Sequence, residues 1–185
     1  MILTDREIGI SLSSGLIDVT PEPDASAYSS TSLDLRLDQY LQIFKQRIDG
    51  VETTVDPGKP GYSFASALTA LAEKREITAD GYILPPQQLV LAWTKEKIGL
   101  KPTARLAGRV EGKSSLARLG LAVHITAPTI HAGFSGQIQL EIINFGPLPI
   151  RLRSGMNICQ LIFETTLGVP EKGYQGQFAG QLAAR

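Results

Sequence analysis

Cysteine and tryptophan each occur once in this 185-residue sequence and histidine twice, and neither sign of charge is in excess, with 18 Lys and Arg against 18 Asp and Glu. The lone Cys159 excludes an internal disulfide and fits a reducing compartment. His124, His131 and Cys159 fall short of the His-plus-C-x-x-C set that zinc-dependent nucleobase deaminases wrap around their metal. Any hydrolytic chemistry here therefore runs without a protein-held zinc of that kind. Balanced charge gives no global basic field for nucleic acid or an anionic membrane, so any anion site must be local. No apolar run approaches the length that crosses a bilayer. Residues 1–10 carry Asp5, Arg6 and Glu7, unlike a signal peptide. A soluble, cytoplasmic protein is expected, with neither nucleic acid nor membrane as partner.

What remains is enough for one core. Hydrophobic residues make up 43% and charged residues 19%, a globular balance, and no internal repeat divides the chain. A single domain over 1–185 follows. Thr4-Asp5-Arg6-Glu7 offers a helix N-cap with Glu three residues on; Ile8, Ile10 and Leu12 supply apolar contacts and Gly15 ends the helix. Pro, Asp and Ser make 20–32 a loop. Leu33, Leu35 and Leu37 then alternate with Asp34 and Arg36, the pattern of a half-buried strand, and 40–44 continues it. Residues 50–60 form a loop around the Asp56-Pro57-Gly58 turn, and 66–74 suits a short helix, in a region that resembles an insertion. Strands are expected at 88–94, 104–110, 121–126, 136–144, 150–153 and 157–165. So many short strands with so little helix indicate an all-β barrel or jelly roll. The tail from Gly173, poor in core formers, has the composition of a mobile arm.

The densest chemistry lies in Glu111-Gly112-Lys113-Ser114-Ser115-Leu116-Ala117-Arg118-Leu119-Gly120. If Ser114 to Leu119 make one helical turn, Ser114 and Arg118 share a face, and the free N–H groups at its start favour an anion. Lys113 and Arg118 would add charge-assisted bonds, which makes a phosphate cradle. An ordinary capped turn with Ser114 as N-cap and solvated cations fits the same residues. In Gln137-Ile138-Gln139-Leu140-Glu141-Ile142 the apolar residues share one face and Gln137, Gln139 and Glu141 the other. A carboxylate flanked by amides suits a general acid or base, although a solvated strand face is the commoner fate of Glu. His124, between Val123 and Ile125, is placed as a core histidine; His131, in a turn with two glycines, lies closer to a ligand. Cys159 and Trp93 are expected to pack in the core.

Three runs, Gly112 to Leu121, Val123-His124-Ile125-Thr126-Ala127 and Ala132-Gly133-Phe134-Ser135-Gly136, together with Leu140-Glu141, resemble the dCTP deaminase branch of the dUTPase superfamily. Counterparts extend over Leu3 to Ile8, Ser32 to Leu37, Gly155 to Leu161 and Tyr174-Gln175-Gly176-Gln177. The resemblance implies a distorted β-barrel that assembles as a homotrimer with sites at subunit interfaces. It implies a nucleoside triphosphate carrying Mg²⁺ on its phosphates, no zinc, and attack of water on cytosine C4 to give dUTP and ammonia. By position, Glu141 matches the proton-shuttling carboxylate, Ser114 the hydroxyl that orients water, and Arg118 a phosphate and active-site arginine. Lys113 and Ser115 match phosphate-loop positions, and Gln177 a tail glutamine that closes over the nucleotide. Leu116, Ala117, Thr126, His131, Gln139, Leu140 and Tyr174 fall on the remaining substrate-binding positions, and no position matches a metal ligand.

The sequence departs from the family pattern at several sites, among them a short segment before the tail that lacks the expected tyrosine. His131 stands where the family usually has an Asp that contacts deoxyribose. Thr129 replaces a common Arg, and Gly173 rather than Lys precedes Tyr174, with Lys172 one place earlier. Besides dCTP deamination, the resemblance leaves two readings open: a dUTP diphosphatase or bifunctional deaminase–diphosphatase, and a catalytically silent nucleotide-binding relative.

Overall fold

Apolar residues at every second position need a second layer to cover them, and in this chain the covering layer is the same sheet curled over on itself. The computed structural model describes residues 1–45, 54–176 and 178–183. In chain order its elements are α1 (Asp5–Ser13), β1 (Ile17–Thr20), β2 (Tyr28–Ser29), β3 (Ser32–Phe44), α2 (Phe64–Leu71), β4 (Ala72–Glu76) and β5 (Tyr82–Leu84). There follow β6 (Leu89–Leu100), β7 (Leu106–Gly112), α3 (Ser114–Ala117), β8 (Leu121–Ala122), β9 (Thr129–Ile130), β10 (Ser135–Asn144), β11 (Ile150–Leu152) and β12 (Asn157–Thr165). One antiparallel sheet runs β8-β10-β6-β3-β12-β7-β9, with β1 added to β6 and β2 and β4 to β3; β5 and β11 pair separately. The all-β, barrel-like expectation holds.

The core is the inner face of that sheet. Leu33, Leu35, Leu37 and Leu41 from β3 meet Ile138, Leu140 and Ile142 from β10 and Ile158, Leu161 and Phe163 from β12 in one buried cluster. Cys159 belongs to it, as expected, and is fully buried. Burial pushes its thiol pKa up, with the Glu96 and Asp34 carboxylates adding to the effect.

Several local expectations are revised. In α1, Ile8 is buried and Leu12 packs on the core, but Ile10 is 56% exposed, because two residues from Ile8 is the far side of a helix. The reciprocal cap is replaced by a bond between side chains: the Thr4 hydroxyl donates to the Glu7 carboxylate, holding that carboxyl below the usual range. Gly15, at φ +65°, does end the helix. On β3 the polar face is not solvated, since Asp34 is only 8% exposed. The helix expected at 66–74 is α2, which ends at Leu71; Ala72 and the four charged residues after it instead form β4, pairing with the second half of β3 from Tyr40↔Glu76 to Phe44↔Ala72. Sheet pairing overrides a helix-favouring composition there. The strand expected at 121–126 shrinks to Leu121–Ala122. His124 therefore lies in the irregular segment after β8 rather than in a core strand, with Nε2 3.9 Å from Glu111 Oε2. Trp93 is buried, but outside the barrel core, against a cavity on the other face of β6.

The described part of the tail is docked and not a free arm. Tyr174 N–H donates to the Ala132 carbonyl at 3.0 Å, and Gly180 N–H to Ser135 at 2.7 Å. Gln137 holds the end: its N–H donates to the Gln181 carbonyl at 3.0 Å, and its side-chain oxygen accepts from Ala183 N–H at 2.7 Å. The tail carries few core formers because hydrogen bonds to a strand edge fasten it.

A buried thiol with a raised pKa should resist chemistry. A thiol reagent such as dithionitrobenzoate should leave Cys159 unmodified in the native protein even at mildly alkaline pH, and titrate one thiol per chain once guanidinium unfolds it. Rapid native labelling would contradict the packing described.

Candidate active site

The turn that carries Ser114 and Arg118 is placed by contact between two backbones. β7 ends at Gly112, α3 makes one turn, and Arg118 N–H closes on the Ser114 carbonyl at 3.1 Å. Gly120 then adopts φ +93° and lies directly on Gly146, just beyond β10. A Cβ at Gly120 would fall on the Gly146 backbone, and a Cβ at Gly146 on the Leu119 carbonyl. Phe145 N–H donates to the Gly120 carbonyl at 2.8 Å, and β8 pairs with the end of β10 at Ala122↔Ile143 and Leu121↔Asn144. The α3 turn and the strand bearing Glu141 are thereby locked together.

Asn144 secures that junction, and sequence reading missed it. It is fully buried, donates to the Leu84 and Leu148 carbonyls at 3.1 and 2.9 Å, and accepts from Gly146 N–H at 2.9 Å. A fully buried side-chain amide is stable only with such partners. Its polar type at the end of an apolar strand was the one available signal.

Glu141 lies half-buried on the outer face of β10. Ile125 N–H reaches its Oε2 at 3.4 Å, so one carboxylate oxygen is held by the bend after β8. Gln139 shares this face, whereas Leu140 points into the core at 1% exposure, leaving only its backbone for a ligand. Ser114, Ser115, Ala117, Arg118 and Thr126 are exposed, and Leu116 packs partly on the core. Ser114 is not the helix N-cap; Lys113 is.

The two cations of the proposed cradle differ in state. Lys113 Nζ is engaged by Asp34 Oδ2, which also accepts from Asn157 Nδ2 at 3.3 Å. Beside it, Glu96 accepts from Arg36 through its backbone N–H at 2.7 Å and its Nε at 2.6 Å. Lys113 thus reaches an anion only in competition with a buried carboxylate, while the Arg118 guanidinium lies on the surface.

His131 and Tyr174 lie together, ring centroids 5.6 Å apart and 13° from parallel, and Phe134 packs behind Tyr174 at 5.9 Å. Both line a cavity of about 600 Å³ that also includes Lys172. Gln139 lines a different cavity; Ser114, Arg118 and Glu141 line neither. The single chain therefore brings the Ser114–Arg118 turn beside the Glu141 strand but does not enclose them with His131 and Tyr174. Gln177 lies outside the described residues.

Strand order and the glycine-locked turn define a dUTPase-like β-barrel. Among solved structures, the chain is similar to a 2'-deoxycytidine 5'-triphosphate deaminase from Agrobacterium tumefaciens, at TM-score 0.67 and 22% identity over 89% of this chain. It spans about half that protein's length, 48%. A dUTPase from phage phi11 of S. aureus matches at TM-score 0.51 and 10% identity over 86% of this chain and 97% of its own. At these identities the likeness is one of fold. Sequence goes further. Residues 2–166 match the profile of the dCTP deaminase-like family. A Corynebacterium glutamicum protein named dCTP deaminase, dUMP-forming, is 41% identical, with 96% of this chain and 92% of the relative covered. A dCTP deaminase of Rhodospirillum rubrum is 37% identical over 94% and 87%. The chain belongs to the dCTP deaminase-like family.

If the Gly120–Gly146 contact sets the turn, Gly146→Ala should be severe although it adds one methyl group. Turnover should fall at least tenfold and thermal stability should drop, since the added Cβ meets backbone that cannot rotate away. A neutral result in both melting and kinetics would show that the turn is placed by something else.

Proposed function

We propose that this protein is a zinc-independent deaminase of a cytosine deoxynucleotide, with dCTP as the favoured substrate, acting in the cytoplasm. The observation that carries the reading is the Glu141 carboxylate, anchored by Ile125 N–H on a strand to which the Ser114–Arg118 turn is locked. Cytosine C4 is a weak electrophile, so water needs a base as the ring accepts a proton at N3. Glu141 takes the proton from water as its oxygen bonds to C4, and delivers it to N3. Glu141 then moves the proton of the new C4 hydroxyl to the amino nitrogen, the C4–N bond breaks as C4=O forms, and ammonia leaves a uracil ring. Ser114 orients the water, and Arg118 stabilises charge on the phosphates and the developing centre. Mg²⁺ enters with the substrate, held by its phosphates.

The same reading includes a homotrimer. Exposed apolar residues surround the turn and the end of β10: Leu119 at 60%, Ile125 at 51%, Phe145 at 59% and Leu148 at 72%. Apolar surface beside an incomplete, charged site supports a second copy closing over it.

A second reading is favoured by the dUMP-forming relative: deamination followed by release of pyrophosphate. It ranks lower because His131, stacked on Tyr174, stands at the position of the family's sugar-contacting Asp. Incubation with dCTP and with dUTP, followed by assays for ammonia, dUTP, dUMP and pyrophosphate, separates the two and also identifies a silent protein.

Glu141→Gln should abolish ammonia release while nucleotide binding persists, because the amide keeps the shape but cannot shuttle a proton. Retained turnover in that variant removes the proposed role. His131→Asp should tighten deoxynucleotide binding by about tenfold, as expected for a new hydrogen bond to a charged acceptor. Equal affinity by calorimetry would put the sugar elsewhere.

A further inference from the structure

Beneath the α3 turn two carboxylates are almost cut off from water: Asp34 is 8% exposed and Glu96 2%. They share one small chamber, of about 30 Å³, with Arg36 and Asn157. Glu96 accepts from both the backbone N–H and the Nε of Arg36, at 2.7 and 2.6 Å, so that guanidinium is committed. Asp34 is left with Lys113 and Asn157, both on Oδ2, while its Oδ1 is buried without a partner among the described residues. Lys113 is placed differently from these groups. Its side chain is 24% exposed, and the α3 turn starts from it.

A phosphate arriving at the turn therefore competes with Asp34 for one ammonium. Withdrawing the cation from a buried carboxylate leaves an uncompensated charge where water does not reach, the costliest way to break an ion pair. A bond between the same ammonium and a solvated phosphate returns less, because the phosphate gives up water to make it. Lys113 accordingly stays on Asp34, and Arg118, exposed on the same turn, is left to meet the anion.

We propose that Asp34 is a specificity-determining residue, which withholds Lys113 from the ligand so that the turn reads phosphate number with one cation fewer than its sequence supplies. The proposal rests on the turn being a phosphate cradle, and adds what that cradle selects. dCTP is preferred over dCMP by a margin that Asp34 holds down, acting through Lys113 and not by touching the ligand.

Calorimetry on the full-length protein with dCTP, dCMP, deoxycytidine and inorganic tripolyphosphate tests it. Asp34→Asn keeps the size of the side chain and an oxygen for Asn157, and frees Lys113. It should bind dCTP and tripolyphosphate about tenfold tighter, gain less for dCMP and gain nothing for deoxycytidine. Adding Lys113→Gln should remove the gain. In turnover the gain should appear in KM and not in kcat. Equal dCTP affinity in wild type and Asp34→Asn, an equal gain for deoxycytidine, or a gain that survives Lys113→Gln overturns the proposal. If Asp34→Asn does not fold, the wild type decides. Its Lys113 ammonium signal in nitrogen NMR should stay in place as tripolyphosphate saturates the protein, and a shift overturns the proposal. Binding without ammonia release fails the deaminase reading alone, because affinity is what is compared. If wild type and Asp34→Asn both ignore dCTP and tripolyphosphate, the cradle and this proposal fall together.

Discussion

Two glycines without side chains hold the candidate site together. Gly120 lies against Gly146 so closely that neither tolerates a Cβ, and that contact joins the Ser114–Arg118 turn to the end of the strand bearing Glu141. Direct backbone contact is stiffer than contact through rotatable side chains, so the backbone of the turn is fixed relative to that of the strand before any ligand arrives. Asn144 completes the joint by satisfying three backbone groups that the turn would otherwise bury unpaired.

A second layer of buried polar groups lies beneath the turn. Asp34 engages Lys113, and Glu96 engages Arg36, on the side of β3 away from the barrel core. Buried ion pairs add little net stability, because desolvation offsets most of their attraction, but they are costly to break singly. Their effect here is positional: Lys113 is tied to the barrel wall while Arg118 stays available to solvent.

Much of this was legible in the residues. The alternation of Leu33, Leu35 and Leu37 gave the first core strand, and 157–165 was read with the bounds that β12 has. Both depend on period-two burial, a local signal. Expectations failed where distant partners decide. Ala72–Glu76 has the composition of a helix and is a strand because the open edge of β3 was there to pair with it. The tail has the composition of a loose arm and is docked because Gln137 presents both backbone and side chain to it. Alternation puts Asp34 opposite the leucines of a half-buried strand, and nothing nearby in sequence shows that Lys113, 79 residues on, covers it.

Composition and periodicity were enough for the class of fold, and the histidine and cysteine counts excluded the His-plus-C-x-x-C zinc set. Only the tertiary structure decided which of the candidate residues share a site. Glu141 meets the backbone of Ile125, Lys113 is held by Asp34, and His131 stacks on Tyr174 rather than lying with Ser114. Each of these relations joins segments that are distant in the chain or separated by a turn, and strand register, which no local pattern encodes, sets which side chains face one another.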